Sequence, residues 1–183
     1  GSRAAALYAF KHGLCGRELA FQTGAGRICA QVLENEHIAV QFPFVRILQD
    51  NLQECAMPAF LLDTGVPHLV LCAHDDVELV RPTSEELRAL RVRYDANVDV
   101  MCVAQNTVHV RTFERGVEAE TLACGTGMAA CFVVAHHNGQ LGDEGIVIPA
   151  SDEKLHFYFA HDFLWFSGKV QHVATCKTDM LSF

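Results

Sequence analysis

Cys124 is the residue of this chain best placed to do chemistry. It sits in the run Glu114-Arg115-Gly116-Val117-Glu118-Ala119-Glu120-Thr121-Leu122-Ala123-Cys124-Gly125-Thr126-Gly127, directly before an apolar segment that reads as a helix. The first backbone N–H groups of a helix have no intrahelical partner, and the helix dipole adds partial positive charge there. A ligand carboxylate can therefore be cradled by the N–H groups of Gly125 and Thr126. The same field is expected to push the Cys124 thiol toward thiolate, which is sparsely populated at an unperturbed pKa of about 8.5. Glycines at 125 and 127 are expected to keep side chains from blocking a ligand's approach to the backbone.

The elements that must hold this cysteine form a duplicated pattern. GSRAAALYAFKHG at Gly1–Gly13 resembles GMAACFVVAHHNG at Gly127–Gly139, with Gly1, Ala4, Ala9 and Gly13 matching Gly127, Ala130, Ala135 and Gly139. Residues 18–42 then read as three strands, ELAFQT, RICAQVL and HIAVQF. Residues 145–168 read the same way, GIVIP, KLHFYFA and FLWFSG. Helix followed by meander, twice, predicts two related units. Both helices are apolar on nearly all sides, which predicts burial, each at the centre of a curved sheet. Gly13 and Gly139 are expected to be left-handed caps at the helix ends.

The duplication has a chemical consequence. A counterpart of Cys124 would lie three positions before Gly1. Two helix N-termini, each with a cysteine, would then face one another across a cleft. A carboxylate held between them would present its Cα to a sulfur on each face. One group can remove the proton and the other return it, which is two-base racemisation without a cofactor.

Between the repeats, Ala59–Asp63 and His68–Ala73 read as strands around Thr64-Gly65-Val66-Pro67. Thr83 with Glu86 reads as a capping box opening a helix over 84–93, and Val98–Ala104 with Thr107–Phe113 as a hairpin around Gln105-Asn106. A boundary is expected near 53–58, where Gln53, Glu54 and Pro58 interrupt the apolar pattern. The expected domains are 1–57, incomplete and to which 177–183 could return, and 58–176. Segment 116–123 is read as polar loop, with Glu118 and Glu120 as solvated charges.

Composition narrows the partners. Lys plus Arg total 14 and Asp plus Glu 22, a net charge of −8. That disfavours nucleic acid and anionic membranes as partners. No apolar stretch reaches the length of a membrane span. None of the eight cysteines is in C-x-x-C spacing, and seven are read as buried free thiols, so neither a metal site nor a disulfide framework is expected. Adjacent His136 and His137 face different ways on a helix and make a poor metal pair. Gly125-Thr126-Gly127-Met128-Ala129-Ala130 also fits a dinucleotide fingerprint, which would need a strand running straight into the glycines. A hydrolase pairing Cys124 with His68 is another enzyme class, which would also need an orienting group and an oxyanion hole. A non-catalytic binding module is a third reading.

ERGVEAETLACGTG closely resembles the second cysteine motif of diaminopimelate epimerases. GSRAAALYAFKHGL is similar to the segment that follows their first cysteine motif, DTGVPH to their Gly-Asn-Pro-His turn, and NVD to an Asn-containing strand start. The resemblance covers nearly all 183 residues. It implies an α+β fold of two pseudo-symmetric domains, each a strongly curved, mostly antiparallel sheet wrapped around a central helix. It implies a cytoplasmic enzyme that interconverts L,L- and meso-diaminopimelate for lysine and peptidoglycan synthesis. No cofactor is implied. The partner is a small amino-acid substrate, and a homodimer is allowed.

Carried over by position, Cys124 would be one catalytic acid/base, and Gly125 and Thr126 would hold the reacting carboxylate. Arg115 and Asn97 would bind the distal carboxylate, Glu114 the distal ammonium, and His68 would help orient the site. The Arg fork suits bidentate pairing with a carboxylate. Two departures stand out. The first-motif cysteine is not in this sequence, so the polypeptide as written is expected not to epimerise. Val66 stands where many members have asparagine, which leaves room for a relaxed amino-acid racemase.

Overall fold

The computed structural model describes residues 1–24, 26–42, 44–52 and 57–175. Gln53 and Glu54 of the expected boundary, two of the eight cysteines (Cys55 and Cys176) and the stretch 177–183 lie outside the described residues.

The duplicated pattern is present as helix plus meander. Helix α1 (Ser2–Lys11) leads to β1 (Glu18–Thr23), β2 (Gly26–Val32) and β3 (His37–Gln41). Helix α4 (Gly125–His137) leads to β10 (Glu144–Pro149), β11 (Leu155–Ala160) and β12 (Phe163–Lys169). The helix ends match in detail. Gly13 and Gly139 both have φ +69°. At the first end the N–H of Gly13 donates to Phe10 and that of Leu14 to Ala9; at the second, Gly139 donates to His136 and Gln140 to Ala135. Each is a complete Schellman motif, and the left-handed residue is a glycine because it carries no Cβ to clash.

Between the units run β4 (Arg46–Gln49), β5 (Ala59–Asp63), β6 (Pro67–Cys72), α2 (Asp76–Val80), α3 (Ser84–Tyr94), β7 (Asn97–Ala104), β8 (Thr107–Glu114) and β9 (Ala119–Thr121). The capping box at Thr83 and Glu86 forms as expected. The strands make one sheet in the order β1-β2-β3-β12-β11-β10-β8-β7-β6-β5-β4, with β9 on β8. The β6–β7 and β8–β10 pairs are parallel and the rest antiparallel. The two meanders join edge to edge where β3 pairs with β12, Val40 opposite Phe166. The sheet also runs across the expected boundary, because β4 pairs with β5.

Strand periodicity sorts side chains between two layers. Even positions of β6, odd positions of β7 and even positions of β8 face α4; Val70, Met101, Val108 and Val110 share its core. The opposite face, with Leu69, Leu71, Val98, Val100 and Cys102, packs in the layer that includes Leu79 of α2 and Leu87 of α3. Both faces of β7 are thereby covered.

Three expectations change. Helix α4 is buried along most of its length, but α1 buries only Ala6 and Leu7 and leaves Tyr8 60% exposed. It packs mainly on β2 and β3, whereas α4 is embraced by β5, β6, β7, β8 and β10. Of the described cysteines, only Cys102 and Cys131 are fully buried; Cys15, Cys29, Cys72 and Cys124 are partly exposed. Segment 116–123 contains β9, with Ala119 opposite Glu114. Its acidic residues are paired rather than solvated. Glu120 takes a two-point bond from Arg111, each arm 3.0 Å, and Glu118 pairs with Arg91 at 2.8 Å.

Candidate active site

Cys124 is the N-cap of α4, in extended backbone. The first intrahelical bond runs from the Met128 N–H to the Cys124 carbonyl. The amides of Gly125, Thr126 and Gly127 therefore come before the helix ladder begins. The two glycines differ. A Cβ on Gly125 would meet nothing within 4 Å. A Cβ on Gly127 would lie 2.3 Å from Asp99 Oδ1 and 3.1 Å from Thr112 Oγ1. Gly125 lines the cleft, with space beside its Cα. Gly127 instead lets α4 approach β7 and β8.

Gly125, Thr126 and Met128 line a cleft of about 740 Å³ together with Ser2 and Arg3 from the start of α1. The two helix starts thus border one space. Arg3 fastens that end of α1 to the second meander: its guanidinium stacks 5.3 Å from the Phe166 ring centre and reaches Glu153 at 3.5 Å.

Behind Cys124 the strands converge. Register sets His68 beside Asn97 and Asp99 opposite Thr112. His68 Nδ1 lies 2.7 Å from Asp99 Oδ2, and Nε2 lies 3.0 Å from Thr126 Oγ1. Thr126 Oγ1 is in turn 3.4 Å from Cys124 Sγ. His68 and Asp99 are both 0% exposed. Thr112 donates to Asp99 at 2.6 Å. His68 therefore reaches the sulfur only through Thr126, which does not suit a cysteine hydrolase needing direct contact with its base.

The expected thiolate is not what this setting favours. Burial first, and the Asp99 charge second, push the Cys124 thiol up to about 11; the Thr126 hydroxyl and the Gly127 N–H pull the other way, and the Glu114 charge adds a further push up. Removal from water and two nearby carboxylates thus both favour the thiol over the thiolate.

Asn97, Glu114 and Arg115 converge at the ends of β7 and β8. Asn97 Oδ1 accepts from the Arg115 N–H at 2.9 Å, and its Nδ2 donates to the Pro67 carbonyl at 3.1 Å. Glu114 accepts from Thr121 Oγ1 at 2.5 Å. The Arg115 guanidinium turns outward to the Asp95 carbonyl at 2.7 Å and carboxylate at 3.1 Å. His136 and His137 diverge, toward Phe159 and Phe60. The strand preceding α4 is the short antiparallel β9, not the parallel strand a dinucleotide fold requires. No helix among the described residues is long and apolar enough to cross a membrane.

Asp99 and Thr112 are the site residues that sequence reasoning missed. The available signal was a carboxylate inside the apolar run of β7, two positions from Asn97 and so on the same face.

The family model described as diaminopimelate epimerase matches residues 60–172. A diaminopimelate epimerase of a Nitratiruptor species is 42% identical over 174 residues, covering 94% of this chain and 68% of the relative. One from Helicobacter pylori is 32% identical over 196 residues, covering all of this chain and 72% of the relative. Among solved structures, a phenazine biosynthesis protein of the PhzF family from Enterococcus faecalis matches with TM-score 0.68 at 16% identity, covering 91% of this chain and 67% of that one. A hydroxyproline epimerase from Agrobacterium vitis matches with TM-score 0.65 at 14% identity, covering 92% and 62%. These two share the fold: α+β, with a large curved sheet and few helices. This chain belongs to the diaminopimelate epimerase family of isomerases.

Proposed function

We propose that the protein interconverts L,L- and meso-diaminopimelate in the cytoplasm by passing the Cα proton between two cysteines, with no cofactor. Cys124 is one of the pair. The other is the counterpart of Cys124 under the duplication. The observation that carries the reading is Cys124 at the N-cap of the buried α4, between Ala123 and Gly125, which line a cleft that the start of α1 also borders.

The substrate α-carboxylate sits on the N–H groups of Gly125 and Thr126, against the positive end of the helix. With its thiol raised to about 11, Cys124 rests as the acid of the pair. The other sulfur, as thiolate, takes the Cα proton. Cys124 then delivers its own proton to the opposite face: the S–H bond breaks, the new Cα–H bond forms, and Cys124 is left as thiolate. The reverse reaction uses the same pair with roles exchanged.

Glu114 and Arg115 hold the distal end, and Asn97, bonded to the Arg115 N–H and the Pro67 carbonyl, fixes the backbone that carries them. The Arg115–Asp95 pair is partly exposed, with Asp95 77% exposed, and such pairs contribute about 0.2–1 kcal/mol. A substrate carboxylate within the cleft can therefore recruit the guanidinium at small loss.

The half-exposed Val66 favours a second reading, a racemase of wider specificity. One experiment separates the two. The full-length protein is given L,L-diaminopimelate, glutamate, aspartate and proline in deuterated water, and deuterium at Cα is followed. Exchange in diaminopimelate alone supports the first reading, exchange in several amino acids the second. No exchange in any of them rejects both.

A further inference from the structure

Behind Cys124 lie two fully buried titratable side chains, His68 and Asp99. Their hydrogen bonds have a polarity that can be read outward from one fixed point. Asn97 Oδ1 accepts a backbone N–H from Arg115, which fixes the amide's orientation and turns Nδ2 toward His68 Nε2 at 3.4 Å. An amide nitrogen only donates, so Nε2 presents its lone pair. The His68 proton is then on Nδ1, pointing at Asp99 Oδ2. Asp99 Oδ1 already accepts the Thr112 hydroxyl, so both carboxylate oxygens receive donors. On the other side, the Thr126 O–H donates to the Nε2 lone pair, which leaves the Thr126 oxygen to accept the Cys124 S–H.

We propose that Asp99 is a positioning residue for Cys124, anchoring the Nδ1–H tautomer of His68 so that the Thr126 hydroxyl acts as a two-position switch. While Cys124 is a thiol, the hydroxyl points to His68. Once the sulfur has given up its proton, the hydroxyl turns to the thiolate, and Asn97 Nδ2 remains as donor to Nε2. No bond breaks within the relay; only the Thr126 O–H rotates. Without the carboxylate, His68 is free to carry its proton on Nε2. Thr126 must then accept from it, its own O–H is held toward the sulfur, and the thiol loses its acceptor. The close approach of α4 at Gly127, against both Asp99 and Thr112, helps bury the His68–Asp99 end of the relay.

The inference rests on the acid/base reading of Cys124, and its first readout needs no turnover. In the full-length wild-type protein without substrate, long-range ¹H–¹⁵N spectra of the histidine rings should show His68 protonated at Nδ1 and bare at Nε2. A proton on Nε2 would overturn the proposal. The second readout is Asp99→Asn. An Asp-to-Asn change that inverts the histidine tautomer costs up to ~10⁴-fold in a serine-protease triad. Here kcat for epimerisation should fall on the order of 10²-fold or more, with KM within about threefold and the His68 nitrogen shifts altered. Thr112→Val keeps the carboxylate and should retain the tautomer, with a loss of less than about tenfold. A merely structural role would move thermal stability without the tautomer change or the selective loss in kcat. A folded Asp99→Asn protein with kcat within about threefold of wild type overturns the proposal. Should that variant fail to fold, the wild-type spectrum decides. The tautomer is read without substrate, so failure of the functional reading and failure of this inference give different results.

Discussion

Adding one methyl group to Gly127 should damage the protein far more than adding it two residues earlier. The new Cβ would sit 2.3 Å from Asp99 Oδ1 and 3.1 Å from Thr112 Oγ1, where the site is fully enclosed. Overpacking of this kind costs about 1–3 kcal/mol. If Asp99 gives way instead, it loses a charge-assisted hydrogen bond to Thr112 or His68, about 1.5–3 kcal/mol. The helix-propensity gain of alanine over glycine returns only ~1 kcal/mol. The net for Gly127→Ala is a loss of about 0.5–2 kcal/mol, or a Tm lower by roughly 1–8 °C at this chain size. Gly125→Ala meets no atom within 4 Å. It should leave Tm unchanged or raised by a few degrees, while the methyl group intrudes on the carboxylate site and weakens ligand binding. Thermal melts of the two variants, with and without diaminopimelate, check both halves. Equal stability of the variants, or a Gly125→Ala protein that binds as wild type does, would refute the division of labour between the glycines.

Other outcomes follow from the same physics. Thr83→Ala removes the N-cap of α3, whose Leu87 lies in the layer behind β7, and should lower stability by about 1 kcal/mol in urea unfolding. Alkaline pH should destabilise the fold. The thiols of Cys72 and Cys124 are raised from 9.0 to about 12 and about 11. Above about pH 9 the unfolded chain releases protons that the native chain retains. The stabilisation is complete below that pH and is lost as pH rises toward 11 and 12, at up to about 1.4 kcal/mol per unit per thiol. Urea midpoints between about pH 8 and 11 should fall accordingly, and a midpoint that rises over this range would contradict the burial of these sulfurs.

Local signals made most of the fold legible. The glycine caps, the Thr83–Glu86 box, the Gln105-Asn106 hairpin and the repeated meander each depend on residues close together in the chain. What stayed hidden was set by distant partners. The partial exposure of α1 depends on which strands cover it, not on its own apolar content. Strand β9 exists because Arg111 and Ser84 capture Glu120, a pairing no local pattern announces. Cys124 is legible as a helix-start cysteine, but its raised thiol depends on burial first and on Asp99 second, 25 residues earlier and brought near by the packing of α4 on β7. Gly127 reads as a ligand-facing glycine, whereas its missing side chain makes room for the Asp99 carboxylate.

The claim that Cys124 carries a proton to and from Cα is tested most directly by Cys124→Ser in the full-length protein, with epimerisation of L,L-diaminopimelate measured beside a thermal shift by the same ligand. Because a serine hydroxyl is a far weaker acid than a thiol, conversion should fall by at least about 10³-fold, while the melting temperature and its rise on ligand binding remain as in wild type. Conversion within about threefold of wild type would contradict the account.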